Sequence, residues 1–248
     1  MYVQKFSLSL RILVLKRGDG VLLYFIIGCC IGSFLCLTAQ RIPLGHSIIY
    51  PRSHCVKCCR SLSWYELIPI LSIIVQRFRC RYCRCRLPFY YLLAEALCGG
   101  LFVWFFTFSS ARNYSTFIWM LSALLFSLMD LFYFMVHSHT LFCSWAILWI
   151  FWLQVGVFQW QSVLLTFIVG GVCLRYGQSY LGAGDTLLML SWSGGLSLEE
   201  LLQILFLASL FGISVFSVYF ICHKKKMEKL PFIPFLSSAL LIVLHLRY

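Results

Sequence analysis

Two sets of residues in this 248-residue chain have the types and spacing to do chemistry. The first is a pair of acids, Asp130 and Asp185, each set in or at the mouth of an apolar run. An ionised carboxylate in lipid costs at least ~2.5 kcal/mol, so such residues face a protein interior or a water-filled cavity and usually have a task. Two carboxylates close together cannot both ionise cheaply and share one proton, which makes one a base and the other an acid. That pairing can hydrolyse a peptide: the base activates a water against the carbonyl, the protonated partner supports the oxyanion, and the roles then reverse. The bland alternative is helix-to-helix hydrogen bonding, or a counter-ion to Arg175. Asp185 ends Gly182-Ala183-Gly184-Asp185, whose glycines would permit positive φ and close backbone approach, leaving room for an extended substrate beside the carboxylate. A further acid, Glu95, is expected either to pair with Arg84 or Arg86 or to line the same site.

The second set is Cys55-Val-Lys-Cys58 and Cys80-Arg-Tyr-Cys83, two Cys-x-x-Cys pairs with 21 residues between them. Four thiolates so spaced suit a tetrahedral zinc with no open position, which makes the site structural. Arg52, His54, Lys57, Arg79 and Arg81 favour thiolates nearby. Disulfides fit poorly in a reducing compartment, and redox chemistry is the other rival. Cys59 and Cys85 each add a spare sulfur that could stand in for a neighbour.

The elements that must position these groups are helices in a membrane. The chain is 61% hydrophobic and 11% charged, with a mean hydropathy of +0.89, values that a water-exposed surface does not allow. The formal charge of +12 lies in short connecting loops, where orientation by the positive-inside rule explains it and nucleic acid does not. Cys29, Cys30, Cys36, Cys98, Cys143 and Cys173 sit in apolar runs as small hydrophobes. No internal repeat and no low-complexity tract is evident.

The expected architecture is an all-α polytopic membrane protein with about eight transmembrane segments. Residues 1–20 form an N-terminal extension, 21–39 the first span, 40–88 a basic, zinc-knuckle-like loop, and 89–248 the remaining membrane domain. Further spans fall at 89–108, 115–136, 140–158, 162–174, a short piece at 186–192, 201–222 and 232–246. The 40–88 loop holds nine Lys/Arg against one acid, Glu66, and is therefore expected on the cytoplasmic side. The basic turn at Lys224, Lys225, Lys226 and Lys229 then shares that side, whereas the four basic residues of the extension fall opposite. Within the loop, Leu67, Ile68, Ile70, Leu71, Ile74, Val75 and Phe78 follow helical spacing and predict an amphipathic helix lying on the membrane surface.

From about residue 28 onward the chain resembles the type IV prepilin leader peptidases, including the competence-type enzymes. Gly32-Ser33-Phe34-Leu35, Arg41-Ile42-Pro43, and the run from Pro51 to Cys58 carry the resemblance first. Trp64-Tyr65-Glu66-Leu67-Ile68-Pro69, Arg79 to Cys83, Tyr91 to Glu95, Gly182 to Asp185, and Pro231 to Leu236 continue it. The resemblance implies that Asp130 and Asp185 are catalytic, in a Gly-x-Gly-Asp intramembrane aspartic protease. It also implies cleavage of the basic leader of prepilins or pseudopilins on the cytoplasmic face. In many members it implies N-methylation of the new N-terminus with S-adenosylmethionine. The sequence departs from the pattern at Cys36, where an Asn is common, at His137-Ser138 in place of Pro-Asp, and at Leu187 in place of Lys. A proton-coupled transporter using the acids as a relay and a docking protein built on the basic loop are the competing readings.

Overall fold

The computed structural model describes residues 2–108, 114–176, 182–223 and 230–247. The basic turn at Lys224 to Lys229 and most of the polar stretch before Gly182 lie outside the described residues. Among them every long element is a helix: α1 (Tyr2–Arg41), α2 (Leu71–Val75), α3 (Tyr90–Val103, continued by a π turn at Trp104–Phe108), α4 (Tyr114–Tyr133), α5 (Ser138–Val155), α6 (Trp160–Tyr176), α7 (Ala183–Ser193), α8 (Leu198–His223) and α9 (Ile233–Arg247). All eight expected apolar segments are helical. Five helices are long and apolar enough to cross a membrane, namely α1 from Gly20, α3, α4, α5 and α8, while α6 and α9 are apolar but shorter. The backbone of α1 runs unbroken through residue 20, where the sequence suggested an extension ending. The chain divides into two compact units, one of residues 1–41 and 45–112, the other of 42–44 and 113–248.

In the first unit α1 packs along α3. The contact is made by glycines one turn apart. A Cβ on Gly28 would lie 2.7 Å from the Cys98 carbonyl oxygen, and one on Gly32 would lie 2.8 Å from that of Ala94. Small residues at such spacing let two backbones meet in lipid, where hydrophobic burial gives no drive and dispersion must. α1 then ends at a short 3-10 turn, Ile42–Leu44, closed by Gly45 at φ 69°.

The amphipathic helix predicted across residues 67–78 is largely absent. A 3-10 turn at Trp64–Leu67 gives way to extended backbone at Ile68, ψ 114°, because a residue before proline is driven out of the α region. Ile70 then takes a φ of 62°, and only Leu71–Val75 is α-helical.

In the second unit α4 packs on α9, α9 on α8, α7 on α6 and α5, and α4 on α5. The seam between α4 and α9 is polar: the Ser127 hydroxyl lies 2.7 Å from that of Ser237, which in turn donates to the Ala123 carbonyl at 3.1 Å. The Trp119 ring packs against Trp152 at 4.8 Å and Trp192 at 6.3 Å between centroids. α8 opens on a capping box, the Ser197 N–H donating to the Glu200 carboxylate at 2.7 Å. The same carboxylate pairs with Arg247, the single ion pair among the described residues.

Candidate active site and metal centre

Asp130 lies in the last turn of α4 and is 7% exposed. Its carboxylate is held by another helix: the Ile233 N–H at the start of α9 donates to Oδ2 at 3.0 Å, and the Phe232 N–H adds a second bond. Asp130 thus caps α9 from α4, at a terminus whose unpaired amides favour negative charge. Pro234 explains the local fold, since proline is tolerated in a first turn, where its missing N–H is not needed. Read from sequence, Pro231 to Leu236 is only part of a family pattern; the Phe232 and Ile233 amides that hold Asp130 have no signal there.

Asp185 lies in the first turn of α7. Its carboxylate turns back on its own helix start and accepts the Gly182 N–H. A Cβ at Gly182 would sit 3.0 Å from Asp185 Oδ2, so glycine there lets the carboxylate close over the helix terminus. The expected positive φ is not used: Gly182 has φ −64°. Gly184 faces the turn after α4, where a Cβ would meet Val136 at 3.7 Å. The second unit thereby brings Asp130 within electrostatic reach of Asp185. Arg175, in the last turn of α6, pairs with neither.

Glu95 belongs to the first unit and is buried. Neither Arg84 nor Arg86 pairs with it. Instead its Oε2 accepts the Ile70 N–H at 2.7 Å and the carboxylate also takes a bond from Ser33. The kink that Pro69 imposes leaves that amide free, and the acid from α3 fills the vacancy.

The cysteine loop contains a structural repeat that the residue types hide. The Cys55 N–H donates to the Arg60 carbonyl at 3.0 Å and the Cys59 N–H to the Cys55 carbonyl at 2.8 Å. The Cys80 N–H donates to the Cys85 carbonyl at 2.9 Å and the Arg84 N–H to the Cys80 carbonyl at 2.9 Å. Each knuckle is closed by one antiparallel bridge, His54 with Ser61 and Arg79 with Arg86. Each also places its fifth residue at positive φ, Cys59 at 54° and Arg84 at 53°. Together they bring the sulfurs of Cys55, Cys58, Cys80 and Cys83 within 4.8 Å of one another. A tetrahedral zinc with Zn–S of about 2.3 Å needs sulfurs about 3.8 Å apart, so the cluster can hold a metal ion.

The spare cysteines differ. Cys85 Sγ lies 3.6 Å from Cys55 Sγ, as near as Cys83 at 3.7 Å, whereas Cys59 is exposed. Burial pushes the Cys55 thiol up, but the N–H groups of Cys58 and Lys57 and the neighbouring thiols outweigh it, lowering the group to about 6. The adjacent Cys83 and Cys55 sulfurs push the Cys85 thiol up to about 12.

Fold and site together define a class: a multi-pass helical membrane protein that carries a four-cysteine knuckle ahead of two acids, Asp130 buried and Asp185 half-buried. Residues 26–108 match the family model described as the bacterial peptidase A24 N-terminal domain. Two relatives named prepilin leader peptidase/N-methyltransferase, from Myxococcus xanthus and Bacillus subtilis, are each 47% identical over 78 residues, 32% of this chain. These matches span 23% and 32% of the relatives' own length. The type 4 prepilin-like proteins leader peptide-processing enzyme of Escherichia coli is 28% identical over 255 residues, 89% of this chain and 91% of that protein. No solved structure matches the chain. Over residues 26–108 the chain is therefore similar to the N-terminal domain of the prepilin leader peptidases, and it spans less than a third of the length of the Myxococcus xanthus and Bacillus subtilis relatives.

Proposed function

We propose that the chain is a membrane-embedded aspartic endopeptidase that removes the basic leader of prepilin-like or pseudopilin-like proteins at the cytoplasmic face. The observation that supports this reading is that two acids from α4 and α7 of one unit lie within electrostatic reach, each bonded by an amide at a helix start. Such amides fix the carboxylates without neutralising them, as an arginine or lysine would. One acid in the ionised form takes a proton from water as that water attacks the scissile carbonyl. The other, protonated, donates to the forming oxyanion and then to the leaving amine. Leu187 stands in place of a family lysine, and among the described residues no cation forms an ion pair with either acid.

Cys55, Cys58, Cys80 and Cys83 would hold a structural zinc, with all four positions filled by protein. The ion would fix the fold of the loop and supply no water for hydrolysis. The nine basic residues of that loop support its cytoplasmic placement. The names of the relatives also support methyl transfer to the new N-terminus, with S-adenosylmethionine as donor.

The test is purified protein in detergent with a prepilin-derived peptide and a labelled methyl donor. Leader removal by wild type and its loss in Asp185→Ala, with membrane insertion unchanged, is the expected result. Cleavage at the wild-type rate in Asp185→Ala would refute the aspartic mechanism. Label in the shortened peptide reports the second activity separately.

A further inference from the structure

The cysteine loop carries an open groove of about 1090 Å³ that touches the metal cluster only at Cys80 and includes neither Asp130 nor Asp185. One wall is aliphatic, made by Ile68, Leu71 and Val75; the other is formed by Arg77, Arg79, Arg81 and Arg84. Arg81 is held by the Tyr65 hydroxyl at 2.7 Å. Arg77, Arg79 and Arg84 have no carboxylate partner among the described residues. The single acid of the loop, Glu66, is committed to the Ser63 N–H at 2.8 Å, and Glu95 is taken by Ile70. Four guanidinium groups around one groove repel each other unless an anion enters from outside.

The aliphatic wall says which anion. Ile68 is 40% exposed, Leu71 60% and Val75 78%, the last two on the short helix α2. A small inorganic anion would satisfy the arginines and leave this wall in water, whereas an amphiphile satisfies both. The loop joins α1 and α3, two helices long and apolar enough to cross a membrane, and their spanning would tether the groove at a bilayer surface. We propose that it seats the phosphate headgroup of an anionic phospholipid, with the α2 side chains entering the acyl region, and that this holds the knuckles against the bilayer. Anionic headgroups attract juxtamembrane basic residues, and an interfacial turn gains by burying aliphatic side chains.

Hydrogen exchange on the full-length protein in nanodiscs tests the site. Phosphatidylglycerol added to phosphatidylcholine discs should slow exchange across residues 68–84. Inorganic phosphate, or an acidic peptide added to phosphatidylcholine discs, should not. Replacing Arg77, Arg79 and Arg84 by Gln should weaken the response roughly a hundredfold in phosphatidylglycerol content, and replacement by Lys should largely keep it. Zinc content reports the fold of the loop in both variants. Equal exchange in the two lipids would overturn the proposal, and so would slowing by phosphate or by the acidic peptide alone.

Discussion

The cysteine knuckles and the aspartate pair are built by opposite means. Each knuckle is closed by hydrogen bonds between residues four to five apart, as from Cys59 to Cys55 and from Cys80 to Cys85. The aspartate site is closed by a bond from Ile233 to Asp130, 103 positions apart in sequence. A site made of local bonds can be read from spacing, and its stability depends on what it binds. A site made of distant bonds depends on helix packing and shows in sequence only as costly charges. The two centres should therefore fail independently.

The largest expected effect lies at the metal centre, since a structural zinc contributes ~10 kcal/mol or more to the fold it closes. Cys55→Ser and Cys80→Ser should each lose stoichiometric zinc. Cys83→Ser should keep it, because Cys85 lies at ligand distance from Cys55, and Cys83→Ser/Cys85→Ser should lose it. Metal analysis of the purified variants decides this, and equal zinc loss in Cys83→Ser and the double variant would remove Cys85 from the ligand set. If the centres are independent, chelation should speed hydrogen exchange in residues 53–87 and leave α4 and α9 unchanged. Faster exchange in those helices would break the comparison.

A smaller effect is expected at the seam of α1 and α3. Gly28→Leu places a side chain where even a Cβ would meet backbone at 2.7 Å, and overpacking of this kind costs about 1–3 kcal/mol. A lowered thermal midpoint in detergent is the expected outcome. The hydroxyl contact of Ser127 and Ser237 should be worth about 0.6 kcal/mol, the average for such bonds between membrane helices. Ser127→Ala should shift the same midpoint slightly. Of comparable size, Cys59→Gly relieves a side chain held at φ 54° and should leave zinc stoichiometry intact while stabilising the loop by about 1 kcal/mol or less.

The same contrast explains what was legible. The helices, the cysteine cluster and the two acids were readable because apolar length, Cys-x-x-Cys spacing and charge in lipid are properties of residue type. The knuckle repeat was hidden because it resides in main-chain bonds, and the second knuckle puts Arg84 where the first has Cys59. Of the two readings of Glu95, pairing with Arg84 or Arg86 fails for a related reason: its partner is the Ile70 amide, and an amide freed by a proline kink has no signature of its own. Gly182 was expected to admit a substrate strand, but it faces the Asp185 carboxylate. The long amphipathic helix failed at Pro69 and Ile70, where local backbone rules override hydrophobic spacing.

The central claim is that Asp130 and Asp185 act as one catalytic unit. Asn keeps an acceptor oxygen for the Ile233 and Gly182 amides, so it separates charge from packing. The decisive measurement is the peptide cleavage rate of Asp130→Asn, Asp185→Asn and the double variant. Each single change should lower the rate about 10²–10⁴-fold, and the double no more than a few-fold further, because removing either member disables the pair. Substantial cleavage by either single variant, or losses that multiply in the double, would contradict a shared-proton dyad.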